Sequence, residues 1–419
     1  MKFDVWKYID ALEYCSKITD GTHDSPPSTT TGKPLITSKH IKGRNIDFES
    51  AYLISDNDYN KIIQRSKVDQ WDVIISMIGE YCGFCYVERN SEIDYAVKNV
   101  GLFKTGSKVK AEWLYYYLTS YQGRQVLSKI KTGSSQPYLT LGALRNLKIL
   151  VPVDEEITQK IVNVLSLIDA KIELNNKLND NLEQMAKTLY DYWFVQFDFP
   201  DANGKPYKTG GGKMVWNDEL KREVPSGWEV KKIKDFAKTG SGGTPLSTKH
   251  EYYKDGNIPW INSGEVNSSF IIESKNYITE AGLNNSSAKI FPKGTILMAM
   301  YGATAGQVSL MDIEACTNQA ICAIMPNDRR ISPYLKFGLH QIYQHLINLS
   351  SGSARDNLSQ DKIKELFFAI PEDRILHSYF EIGNQCFKMI LTNIKENQKL
   401  AELREWLLPM LMNGQVKIG

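Results

Sequence analysis

"DVIISMIGEYCGFCYV" (residues 72–87) and "TILMAMYGATAGQVSL" (residues 295–310) are two writings of one segment. In each, an apolar run ends at a glycine and a second glycine follows four residues later, Gly79 with Gly83 and Gly302 with Gly306. Glycines placed directly after a strand permit a tight turn or a close backbone approach. Upstream, "DGTHDSPP" (20–27) meets "GGTPLS" (242–247), which aligns Gly21-Thr22 with Gly243-Thr244. "PLITSKHI" (34–41) meets "PWINSGEV" (259–266), setting His40 opposite Glu265 and so on the surface rather than in a catalytic role. Downstream, "WLYYYL" (113–118) matches "YLKFGL" (334–339), "TGSSQPYLT" from Thr132 matches "SGSARDNLS" from Ser351, and "LKILVP" ending at Pro152 matches "LFFAIP" ending at Pro371. The offset stays near 222 residues, too long for a solenoid repeat, so the chain reads as an internal duplication with pseudo-twofold potential.

After each proline the periodicity changes. Steps of four and three run through Ile157, Ile161, Val164, Ile168, Lys171, Asn175, Leu178, Leu182, Met185, Leu189 and Tyr192, then through Leu376, Phe380, Gly383, Phe387, Ile390, Ile394, Asn397, Ala401, Arg404, Leu408 and Leu411. A heptad stripe this long predicts two helices packed as an antiparallel coiled coil. Asn175 and Asn397 interrupt it; a buried amide can fix register, and solvent exposure of either is the simpler alternative. The expected organisation is α+β: a first domain over 1–152, a helical spacer over 153–197, a Gly-, Pro- and Lys-rich linker over 198–225, a second domain over 226–371 and a second spacer over 372–419.

Composition is that of a globular chain of 419 residues, 42% apolar and 23% charged, long enough for several cores. No apolar run reaches the roughly 18–20 residues of a membrane helix, and the N-terminal stretch lacks the form of a signal peptide, so a cytoplasmic protein without a membrane partner is expected. Net charge is only +2, but Lys104, Lys108, Lys110, Arg124, Lys129 and Lys131 face a single anion, Glu112, between residues 104 and 131. Such local clusters suit a nucleic-acid face and equally a solvated surface.

The motifs of catalysis are missing. There is no dinucleotide or S-adenosylmethionine glycine fingerprint, no HExxH and no GxSxG, and "GATAGQ" lacks the lysine of a P-loop. Cys82 and Cys85 form a CxxC, but their counterparts in the second copy are Ala305 and Val308, so buried free thiols are expected and no metal site. Two copies of a fold without a catalytic motif point to recognition, and double-stranded DNA is the natural split target. Phosphates call for Lys, Ser, Thr and backbone N–H, and base edges for Arg, Asn, Gln and Ser. In the first copy the candidates are Thr22, His23, Lys33, Thr37, Lys39, Ser134, Ser135, Gln136 and Tyr138. In the second they are Ser241, Thr244, Lys249, Asn262, Ser263, Tyr301, Thr304, Ser353, Arg355 and Asn357. The "GSS" and "GSA" stretches among them also fit simple turns before a helix N-cap.

The duplicated arrangement, "GGTPLSTKHEYYKDGNIPWINSGEV", "MYGATAG" with "TNQAICAI", "SGSARDNLSQDKIKELFFAIP" and "IELNNKLNDNLEQMAKTLYDYWFVQF" followed by "VPSGWE", resembles the specificity subunit of type I restriction-modification systems over essentially the whole chain. The resemblance implies two target-recognition domains, two spacers forming an antiparallel coiled coil, and a bipartite DNA site. It also implies a subunit that is not itself an enzyme, binds no cofactor, and recruits two adenine methyltransferase subunits, which bind S-adenosylmethionine, and through them restriction subunits that use ATP and Mg. The rival readings are a self-contained methyltransferase or nuclease, separated by incubating the chain alone with S-adenosylmethionine and DNA, and a coiled-coil adaptor that binds only protein.

If the stripes set the distance between two DNA-reading heads, one heptad inserted between Asn181 and Leu182 adds about 10 Å, or about three base-pair steps. Mapping methylated sites should show a longer non-specific gap with both specific halves unchanged, and an unaltered gap in an active complex means that the helices are not the ruler.

Overall fold

The computed structural model describes residues 6–133, 136–302, 304–349 and 358–412. The chain divides into two compact units, Met1–Ile172 with Lys399–Gly419 and Glu173–Gln398. Each unit takes a length of both long helices, α1 (Glu155–Tyr190) and α2 (Asp373–Met412).

In the first unit the central sheet contains β1 (Lys17–Asp20), β2 (Asp72–Ser76), β3 (Cys85–Val87) and β4 (Val100–Lys104), in the order β1-β4-β2-β3 and antiparallel throughout. All five residues of β2, "DVIIS", are buried, which explains why this strand reads as a continuous apolar run and lies inside the sheet. The second unit repeats the order with β5 (Ala237–Ser241), β7 (Ile296–Ala299), β8 (Val308–Met311) and β9 (Ile321–Pro326), paired as β5-β9-β7-β8, and adds the short parallel strand β6 (Phe270–Ile271) beside β8. Register makes the copies comparable residue by residue. Ile75 pairs with Cys85 where Met298 pairs with Val308, and Ser76 pairs with Val100 where Ala299 pairs with Ile321. The register also corrects one alignment. Asp20 pairs with Gly101 and Ser241 pairs with Cys322, so Gly21 corresponds to Gly242 and His23 to Thr244. A Cβ on Gly21 would collide with the Val97 carbonyl and one on Gly242 with that of Thr317, so the same close approach demands glycine in both copies.

Each unit is closed onto its helix by one more antiparallel pair. Trp6–Asp10 pairs with Lys148–Pro152, and Glu229–Lys232 pairs with Phe367–Ile370, the segments that lead into α1 and α2. All six cysteines are free and buried, and burial pushes the Cys85 thiol up to about 12 and the Cys316 thiol up to about 11. Among the described residues no helix is long and apolar enough to cross a membrane.

The helices pack antiparallel within each unit. In the second, Asn175 Nδ2 donates to Asn397 Oδ1 at 2.8 Å, Asn393 Nδ2 to Asn179 Oδ1 at 2.9 Å, and the Tyr379 hydroxyl to the Ala186 carbonyl at 3.1 Å. In the first, Arg404 Nη1 meets Asp169 Oδ1 at 2.7 Å, and Leu408, Leu411 and Met412 share a core with Ile161, Val162 and Leu165. The column Ile161, Ile168, Asn175, Leu182, Leu189 faces inward as the heptad reading places it, but its companion column is shifted by one residue. Asn179, Ala186 and Trp193 are buried or half-buried, whereas Leu178 is 42% exposed and Met185 50%. The reason is chemical: the seam holds asparagine amides that bond one another, so an apolar pattern alone settles on the neighbouring leucine. Ile157, Val164, Phe380 and Ile394 are half-buried, and Leu376, Phe387 and Ile390 are buried.

Each unit is tied to α1 by a buried charge. Asp169 and Glu112, each with a side chain 2% exposed, surround Arg44, whose Nη2 lies 2.5 Å from Asp169 Oδ2 and 3.1 Å from Glu112 Oε2. The Tyr116 hydroxyl donates to Asp169 at 2.6 Å, and the Arg44 guanidinium stacks over the rings of Tyr115 and Tyr116. Burial works against the Arg44 charge, and the surrounding Tyr116, Asp169 and Glu112 more than restore it, so its pKa is raised. In the second unit Lys336 Nζ, on a side chain 5% exposed, meets Glu183 Oε1 at 2.9 Å. Burial lowers the Lys336 pKa and Glu183 offsets part of that shift.

Removing one member of such a network strands the others. Arg44→Ala should lower the unfolding free energy of the first unit by about 3–5 kcal/mol, measured by urea denaturation, and Asp169→Asn in that background should recover part of the loss.

Candidate nucleic-acid interface

Three loops converge at one end of the central sheet in each unit. In the first unit, the turn after β2 places Gly79 at φ +81° and Gly83 at φ +92°. The Gly79 N–H donates to the Pro137 carbonyl at 2.9 Å and the Leu139 N–H to the Met77 carbonyl at 2.8 Å, which fixes the loop carrying Gln136 and Tyr138 against the turn. Tyr138 is 42% exposed and Gln136 is exposed. Lys131 Nζ reaches the Cys82 carbonyl at 2.6 Å, and Lys42 sits 3.9 Å from the centre of the Tyr81 ring. The second unit repeats the turn with Gly302 at φ +81° and Gly306 at φ +80°, and Tyr301 beside it is 42% exposed.

A 3-10 turn supplies the second loop. Thr37 N donates to His40 Nδ1 at 2.9 Å, as Asn262 N does to Glu265 Oε1 at 3.1 Å. His40 is fully buried, not on the surface, because its ring caps this turn from inside; burial first, then the Lys39 charge, lowers its pKa. Thr37 and Asn262 therefore serve the turn itself, and the Asn262 Oδ1 accepts from the Gly264 N–H at 2.9 Å. The turn is locked to its neighbours. Ser38 Oγ donates to the Asn99 carbonyl at 2.7 Å and accepts from the Met77 N–H at 3.3 Å, and Thr304 Oγ1 donates to the Ser263 carbonyl at 2.6 Å. Lys39, between Ser38 and His40, is exposed.

The third loop follows the first strand. Thr22 is buried and its Oγ1 accepts from the Asp24 N–H at 3.1 Å, so it holds the loop rather than facing outward. His23 Nε2 lies 3.0 Å from Asp20 Oδ2 and Nδ1 lies 3.1 Å from Asn99 Oδ1, while Arg65 holds the other oxygen of Asp20 at 2.5 Å. In the second unit Ser241 ends β5, and Thr244 Oγ1 donates to Gln319 Oε1 at 2.6 Å. Two candidate lysines are already engaged locally: Lys33 Nζ with Asp94 at 2.5 Å, and Lys249 Nζ with the Tyr252 hydroxyl at 3.1 Å. Ser134, Ser135, Ser353, Arg355 and Asn357 lie outside the described residues. Asn99 and Gln319 belong to the cluster and escaped the sequence reading; the signal was there in Asn99, a residue type that tolerates the left-handed conformation (φ +55°) the turn before β4 requires. Among the described residues no group of three His, Cys, Asp or Glu side chains could hold a metal ion.

The model of the type I restriction modification DNA specificity domain matches residues 29–184 and 225–403, more than half of the chain. The chain belongs to this family. It is 29% identical to the type I restriction enzyme HindI specificity subunit of Haemophilus influenzae, across 87% of this chain and 83% of that protein. It is 26% identical to the EcoR124I/EcoR124II specificity subunit of Escherichia coli, across 96% and 84%. The crystal structure of a type I restriction-modification S subunit from M. genitalium shares the fold, with a TM-score of 0.55 at 15% identity over 98% of this chain and 97% of that one. Fold and family together make it a DNA sequence-specificity subunit of a type I restriction-modification system.

Gly79 and Gly302 have open space where a Cβ would sit, so alanine there is opposed by backbone strain alone. Gly79→Ala and Gly302→Ala should each cost about 1–2 kcal/mol in thermal or urea melts, without the larger loss of a steric clash.

Proposed function

We infer that the chain is the non-catalytic member of its complex, that each unit reads one half of a bipartite DNA target, and that the chain recruits two adenine methyltransferase subunits and, through them, ATP-driven restriction subunits. S-adenosylmethionine, ATP and Mg belong to those partners in this reading. One observation carries it: the two units build the same three-loop cluster on the same strand order, yet fill equivalent loop positions with different side chains, His23 against Thr244 and Lys39 against Gly264. A shared scaffold with divergent tips is what two heads reading unlike sequences require, since scaffold contacts position and side chains specify.

Replacing residues 1–150 with the same segment of a related subunit should change one half of the methylated sequence and leave the other intact, as read by mapping methylated adenines genome-wide. A change in both halves at once would refute independent reading. Binding by the assembled complex should also weaken steeply with salt, because phosphate contacts release counterions; salt-independent binding would favour a protein-only adaptor.

A further inference from the structure

The ladders align the amide-bearing turns of the two units. Ile36 pairs in parallel with Val97, and Ile261 with Thr317; two residues further on stand Asn99 and Gln319. Three residues beyond the paired Asp20 and Ser241 stand His23 and Thr244. The bonds His23 Nδ1 to Asn99 Oδ1 at 3.1 Å and Thr244 Oγ1 to Gln319 Oε1 at 2.6 Å thus lie in the same turn of the two copies but one residue out of step, since the Met77 N–H donates to the Asn99 carbonyl and the Met300 N–H to that of Ala320.

The Gln319 oxygen accepts from the Thr244 hydroxyl, and the Asn99 amide lies 3.1 Å from His23 Nδ1. Thr244 has a hydroxyl to donate, and the His23 ring is itself held by the Asp20 carboxylate. A carbonyl oxygen has a second lone pair, and the amide nitrogen keeps two donors. Among the described residues neither Asn99 Nδ2 nor Gln319 Nε2 has a partner, and Gln319 is exposed while Asn99 is half-buried. An acceptor and a donor side by side on a planar amide match the N6–H and N7 of adenine in the major groove.

We propose that Asn99 and Gln319 are base-reading side chains, one in each unit, each contacting an adenine edge, and that His23 and Thr244 are positioning residues that set the orientation of the amide. This rests on the DNA-reading function above and names the atoms that perform it. Asn99 stands at φ +55°, where Asp is tolerated as well as Asn, so the backbone accepts Asn99→Asp.

The test is selection from a randomised duplex library by the full-length chain assembled with its methyltransferase subunits. Gln319→Glu should move the preference at a single position of one half-site from adenine to cytosine, whose N4–H donates to a carboxylate, by roughly tenfold or more, and Asn99→Asp should do the same in the other half. Thr244→Val should broaden that same Gln319 position without changing the preferred base, and Thr244→Ser should restore it. A selection profile unchanged at every position, or a uniform loss over all positions, in a variant that melts with the wild type overturns the assignment while the DNA-reading function stands. A wild-type complex that selects no sequence overturns that function itself.

Discussion

Asp169 lies on a helix that solvent could have covered on every side, yet its carboxylate is withdrawn from water and shared between Arg44, Arg404 and the Tyr116 hydroxyl. That arrangement binds three separate parts of the first unit to one point: the turn between Ile41–Lys42 and Asn45–Ile46 through Arg44, the aromatic helix Lys108–Thr119 through Tyr116, and the end of α2 through Arg404. Buried charges are stable only as a completed set. The constraint therefore selects one placement of the sheet on its helix, and the three-loop cluster inherits its position from that placement. The second unit meets the same requirement more sparingly, with Lys336 and the Ser269 hydroxyl both on Glu183. Burial would raise the Glu183 pKa, and the Lys336 charge and these hydrogen bonds reverse that to a lowered value.

Polar groups likewise decide how the helices meet. Asn175 is wholly buried and donates to both Asn397 and Glu396, and Asn397 in turn donates to Asn176 at 2.8 Å. An amide ladder bonds in one register only, so it holds the pairing against the slippage that a uniform leucine seam would allow, at some cost in stability, part of which is the buried Asn175 Oδ1 left without a partner.

The duplication, the strand before each glycine pair and the two long helices were legible because each is a periodicity or a repeat, and those survive divergence of individual residues. What was not legible depended on partners distant in sequence. Leu178 drew the heptad pattern because it is apolar, although the buried place belongs to Asn179, whose partner is Asn393. The pair Gly242-Gly243 allowed two alignments with Gly21, and only strand register chooses between them. His40 looked like a surface residue because its counterpart is Glu265; both in fact cap the same turn, one by an imidazole nitrogen and one by a carboxylate. Asn99 and Gln319 were missed for the same reason, since each is bonded to a residue far away in sequence, His23 and Thr244.

The claim at the centre of this account is that one chain carries two separate DNA-reading clusters. A hydroxyl-radical footprint of the assembled complex on a duplex containing its methylated target tests it most directly, with wild type compared with Tyr301→Ala. The account predicts two protected stretches separated by an unspecific gap, with Tyr301→Ala weakening one stretch and sparing the other. A single continuous protected stretch, or two that weaken together, would contradict it.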